Sequence, residues 1–88
     1  MKKSEKFLLK DVAGSSVLIP FGEGALSFNG IITLNETAKF LWEKIDSSFE
    51  EEDLIAFLCD EYKIEADVAR NSANKFISAL KEVGAIEE

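Results

Sequence analysis

The chain contains no histidine, a single cysteine, a single proline and a single tryptophan. Without histidine, neither a Ser-His nor a Cys-His nucleophile can be assembled, and a zinc site would have to be built from carboxylates and one thiol. Cys59 has no partner for an internal disulfide, which suits a reducing compartment. It falls beside Ile55, Leu58 and Tyr62 on the apolar side of a predicted helix, so it reads as an inert buried thiol rather than a nucleophile. Met1-Lys2-Lys3 is not followed by the run of about 7–15 apolar residues that a secretory signal needs, and no stretch is long enough to span a bilayer. The expected location is the cytoplasm.

Basic charge is also scarce. Ten Lys and Arg stand against seventeen Asp and Glu, a net charge of −7, and the basic residues are dispersed. A protein that grips a phosphate backbone needs a clustered basic face, so nucleic acid and anionic membrane are not expected partners. What the chain does have is apolar content: 47% of residues, with seven Phe, enough for a folded core. Eighty-eight residues make one domain, residues 1–88, whose core hides only about 60–65% of the surface that the unfolded chain exposes.

The amino-terminal third reads as β. Lys6 to Val12 is a first strand, Ala13-Gly14-Ser15 a turn, and Ser16 to Pro20 a second strand whose proline suits an edge or an end. Phe21 to Gly24 connects, and Ala25 to Asn29 either extends a ribbon or stays in a loop. Gly30 to Leu34 is the third strand. It runs almost without linker into a helix from Asn35 or Glu36 to about Asp46, capped by Asn35 and carrying Ala38, Leu41, Trp42 and Ile45 on one face. Ser48 and Glu51 match a Ser-x-x-Glu capping box for a second helix that ends near Tyr62. Acidic residues Glu50 to Asp53 fall in its first turn, where they complement the helix dipole. A third helix starts near Glu65 or Ala66 and stops before Gly84. Its apolar stripe is Ala69, Ala73, Phe76, Ile77, Leu80 and Val83, and along its flank lie Val68, Ser72, Lys75 and Ala79. The fold class is therefore α+β, winged-helix-like: a three-stranded antiparallel sheet followed by three helices.

No convergent chemistry appears on this scaffold. The paired carboxylates sit at helix starts, helix ends or the terminus, where water keeps them ionised, and the glycines form no phosphate loop. Asp46-Ser47-Ser48 is superficially similar to the attachment site of an acidic carrier protein, but the β third and the missing leucine fit a turn and a cap better. The expectation is a protein with no catalysis, no cofactor and no metal. Recognition remains. If the third strand has an open edge, it can accept an extended peptide by main-chain hydrogen bonds, with the third-helix flank as the opposite wall. The competing reading makes it an inner strand that merely serves the core, and the residues alone leave the two level. A winged-helix DNA-binding regulator is a further alternative: the third helix offers Arg70, Asn71, Asn74 and Lys75, against the unfavourable overall charge.

Three blocks then resemble a known family. Val17-Leu18-Ile19-Pro20, Asn29-Gly30-Ile31-Ile32-Thr33-Leu34-Asn35-Glu36-Thr37-Ala38 and Phe40-Leu41-Trp42-Glu43 look like the central signature of the PqqD-like proteins. That family is named for the small protein of pyrroloquinoline quinone synthesis, and its domain is the recognition element for precursors of ribosomally made, modified peptides. Glu52-Asp53-Leu54, Glu61-Tyr62-Lys63-Ile64 and the stretch from Phe76 to Ile86 fit its tail, so the similarity runs from about Phe7 to Ile86. The resemblance implies a non-catalytic peptide chaperone. It would bind the leader of a precursor peptide as an added strand and present it to a modifying enzyme, often of the radical S-adenosylmethionine class. Carried onto this sequence, the peptide-binding residues are Gly30, Ile31, Ile32, Thr33 and Leu34 on the strand, and Val68, Ser72, Lys75 and Ala79 on the helix. The small sheet with its open edge also allows a monomer or a strand-exchanged dimer. This chain departs from the shortest members in its acidic second helix and in its longer Phe21–Phe28 loop.

Overall fold

The computed structural model describes residues 1–22 and 31–88. Gly30 and the stretch from Ala25 to Asn29 lie outside the described residues. Among them the chain runs β1 (Lys2–Lys3), β2 (Phe7–Val12), β3 (Ser15–Pro20), β4 (Ile32–Leu34), α1 (Glu36–Lys44), α2 (Glu51–Tyr62), α3 (Ala66–Glu82) and β5 (Ile86–Glu87). The α+β order of three antiparallel strands and then three helices holds, with strand order β2-β3-β4. β1 and β5 are an addition. They pair antiparallel, Lys2 with Glu87 and Lys3 with Ile86, and form a separate two-stranded ribbon. Two residues carry no readable period, so this ribbon left no pattern in the sequence.

β2 and β3 form a hairpin closed at the Val12–Ser15 pair, which leaves only Ala13 and Gly14 in the turn. Both take positive φ, +52° and +84°, the combination of a type I′ turn whose twist matches that of the strands. One face of the sheet carries Phe7, Leu9, Leu18, Ile32 and Leu34, all packed into or against the core cluster. The opposite face carries Leu8 and Val12, both about half exposed, and Thr33.

The helices close the core from the other side. Asn35 caps α1 as its spacing suggests: its Oδ1 accepts the N–H of Ala38 at 2.7 Å. α1 ends at Lys44, two residues early, because Ile45 turns extended (φ −76°, ψ 142°) to drive its side chain into the core. The start of α2 also differs from the sequence reading. Its cap is Glu50, and the Asp53 carboxylate accepts the Glu50 N–H at 2.9 Å as the returning half of a capping box. Ser48 is engaged elsewhere, in a β-bridge with Lys2. Lys3 N–H donates to Ser47 O at 3.0 Å and Phe49 N–H to Met1 O at 2.9 Å, so the amino terminus ties down the α1–α2 connection. Ser4 N–H donates to Ala85 O at 2.9 Å and ties it to the carboxy terminus as well.

α3 buries Ala69, Ala73, Phe76, Ile77 and Leu80, the stripe that its period predicts. It stops in a Schellman arrangement. Ala85 N–H reaches Leu80 O at 2.8 Å and Gly84 N–H reaches Lys81 O at 3.1 Å, with Gly84 at φ +84°. Phe40 and Tyr62 meet edge to face at 5.6 Å and link α1 to α2. Cys59 is half-buried against the core rather than fully enclosed.

Candidate functional site

Among the described residues β4 pairs with β3 alone, so it is an edge strand. Which of its backbone groups are free follows from the ladder. Phe21 N–H donates to Lys6 O at 3.0 Å, and hydrogen-bonded pairs alternate with non-bonded ones along an antiparallel ribbon. In the observed register, Leu8–Ile19, Lys10–Val17 and Val12–Ser15 are therefore the bonded pairs of β2 and β3. Ser16 and Leu18 then turn their N–H and C=O toward β4, where they face Leu34 and Ile32. Thr33, opposite Val17, is left with its N–H and C=O directed away from β3. The open edge thus centres on Thr33.

That edge faces α3 across a cleft of about 430 Å³. One wall is Ile32, Thr33 and Leu34, the other Ser72, Lys75 and Ala79, and the first turns of α1 close one end with Asn35, Thr37 and Ala38. Leu41, Phe76 and Leu80 make the floor, all of them buried. Six of the nine residues singled out in the sequence thus line one cleft. Ile31 is exposed and Val68 is 54% exposed, and neither belongs to the lining; Gly30 lies outside the described residues. Geometry explains Val68. A three-residue strand spans about 10 Å, whereas Val68 to Ala79 on a helix covers about 17 Å, so the first turn of α3 overshoots the strand. The contribution of α1 was missed from sequence. The absent linker between Leu34 and Asn35 was the available signal, since it forces the first turn of α1 to begin where β4 ends.

The other edge of the sheet is chemically different. β2 carries Lys10 and Asp11, and Asp11 is held by Ser16 at 3.0 Å and Lys39 at 3.5 Å. Charges of this kind discourage a further strand from pairing. β4 has none. Among the residues lining the cleft Lys75 alone is charged, and it makes no hydrogen bond or ion pair among the described residues. Arg70, by contrast, is committed to Glu51 at 3.1 Å and Glu52 at 3.2 Å, and these carboxylates raise its pKa. Among the described residues no group of three or more His, Cys, Asp or Glu converges to hold a metal, and every buried side-chain polar atom has a partner. No described helix is long and apolar enough to cross a membrane.

A search of curated proteins returned no match. Among solved structures, the chain is similar to that of TbiB1 in complex with the TbiA(beta) leader peptide. The TM-score is 0.76 at 17% sequence identity, covering 99% of this chain and 95% of that one. That likeness supports the fold. The sequence profile of the family described as Coenzyme PQQ synthesis protein D matches residues 16–86, from the second strand of the hairpin through the carboxy-terminal ribbon. With most of its length covered, and its sheet and helices in the matching arrangement, the chain belongs to the PqqD family.

Proposed function

We propose that this protein captures the leader segment of a ribosomally made precursor peptide as an added strand on the outer edge of β4, and presents it to a modifying enzyme. The observation that carries the reading is the free N–H and C=O of Thr33, on an edge strand set across from α3 over a cleft with an apolar floor. An extended segment there gains main-chain hydrogen bonds from β4, while alternate side chains meet Leu41, Phe76 and Leu80. Membership of the PqqD family and the leader peptide named in the TbiB1 structure support the same reading. The protein would have no catalysis of its own. The modification would fall to its partner, for which the radical S-adenosylmethionine class is the proposed kind.

The duplex-binding alternative loses its best residue. Arg70 is neutralised by two carboxylates, and a phosphate brought to it would also meet Glu51 and Glu52. The proposal is tested by titrating isotope-labelled protein with the synthetic leader of the precursor gene that neighbours this one. Amide signals of residues 32–34 and 72–79 should move together and saturate. A leader that binds while leaving those signals in place would rule out the cleft. The presenting role is tested by reconstituting the neighbouring enzyme with its precursor: modification should depend on this protein, and this protein alone should modify nothing.

A further inference from the structure

We propose that Lys75 selects the bound segment by charge, so that the preferred peptide places a carboxylate two residues from an apolar anchor. The inference rests on the reading of the cleft as a peptide site. It starts from Lys75 being the one charged side chain in the lining and having no partner among the described residues. Its helical neighbours at three and four positions are Asn71, Ser72, Ser78 and Ala79, none of them acidic. In a chain of net charge −7, this cation is set among small neutral residues.

The spacing follows from the strand. A peptide residue that exchanges both hydrogen bonds with Thr33 points its side chain to the same face as Thr33, away from the cleft. The residues on either side of it then point inward, opposite Ile32 and Leu34. These two inward positions are two residues apart, about 7 Å along the strand. One rests on the floor made by Leu41, Phe76 and Leu80; the other lies at the rim, within the sweep of the long Lys75 side chain. The chain's overall negative charge does not cancel this preference, because exposed charges more than about 8 Å away are largely screened at physiological salt. It does disfavour further acids outside the cleft, so the preferred segment carries one carboxylate at the rim and is otherwise not acidic.

The test uses a displayed library of random twelve-residue peptides selected against the wild-type protein and against Lys75→Glu. Wild type should enrich Asp or Glu two positions from an aliphatic or aromatic residue. Lys75→Glu should keep the apolar anchor and enrich Lys or Arg in place of the acid. A peptide selected by wild type, remade synthetically, should bind Lys75→Gln about threefold more weakly and Lys75→Glu about tenfold more weakly, the range of an exposed ion pair and its reversal. Changing its acid to Lys should restore binding to Lys75→Glu, a rescue that a structural role for Lys75 would not give. Peptides that shift the Thr33 amide yet show no charge preference would overturn the role of Lys75 and leave the peptide site standing. Selected peptides that leave the Thr33 amide unmoved, or a library that yields no binder, would overturn both.

Discussion

At the residue scale, the hairpin turn shows how a local conformation sets a stability that can be measured. Ala13 sits at φ +52°, where its Cβ crowds the following carbonyl, while Gly14 beside it carries no such cost. Ala13→Asn, which tolerates the left-handed region and favours this turn, should raise stability by about 0.5–1 kcal/mol in urea denaturation; a loss would mean that the turn is not type I′ in solution. Asn35 is the reverse case. Asn35→Ala removes the acceptor of the Ala38 N–H and should cost about 1 kcal/mol, read from the same denaturation midpoints. Both residues were legible in the sequence, because turn and cap chemistry is local. The start of α2 was not. Ser48-x-x-Glu51 and Glu50-x-x-Asp53 are both plausible boxes, and the choice falls to the second because Ser48 is drawn into a bridge with Lys2, 46 positions away. A contact so distant in sequence has no local trace.

Lys3 adds a residue-scale prediction about pH. Its Nζ donates to Trp42 O at 2.8 Å and lies 4.6 Å from the centre of the Trp42 ring. Burial lowers its pKa from 10.5, an effect that Asp46 and Glu43 only partly offset. Between that lowered value and 10.5 the unfolded chain holds a proton that the folded protein has given up, so the Lys3 contribution to stability rises with pH across that window. Denaturation midpoints of wild type and Lys3→Met, followed through it, should show the difference between them shifting in favour of wild type. A constant difference would mean that Lys3 is as well solvated folded as unfolded.

At the element scale, β4 carries the account. Its existence was legible from the β-branched run before Asn35, and the three helices from their apolar periods and stops. Its place at the edge was not, because strand order is decided by tertiary pairing rather than by the composition of the strand. The ladder now separates two substitutions that sequence alone cannot tell apart. Ile32 turns its N–H to β3, so Ile32→Pro breaks the sheet and should destabilise the fold by about 1–3 kcal/mol. Thr33 turns its N–H outward, so Thr33→Pro should leave a folded protein with little change in denaturation midpoint. Its loss should appear in peptide affinity, about fivefold for one hydrogen bond. Should the two variants prove equally unstable, the assigned ladder would be wrong. The same scale explains the overshoot of Val68: periodicity puts it in line with Ser72, Lys75 and Ala79, but only the length of the facing strand says where the cleft stops.

At the scale of the whole molecule, the absences in the sequence and the geometry of the fold converge. A chain without histidine cannot assemble a Ser-His or Cys-His pair. Its described residues form a small sheet with one edge guarded by Lys10 and Asp11 and the other unpaired across from a helix. The amino-terminal strand is the part that no sequence pattern announced. It joins the α1–α2 connection to the carboxy terminus and makes no pairing with β4 among the described residues. Binding would then leave the scaffold unmoved and change chiefly the edge strand and its facing helix. Hydrogen exchange at the Thr33 amide tests this most directly, with and without a saturating leader peptide. The Thr33 amide should exchange freely in the unbound protein, because it pairs with no described strand, and become strongly protected in the complex while Ile32 and Leu34 change little. A bound leader that leaves Thr33 exchanging at its free rate would contradict it.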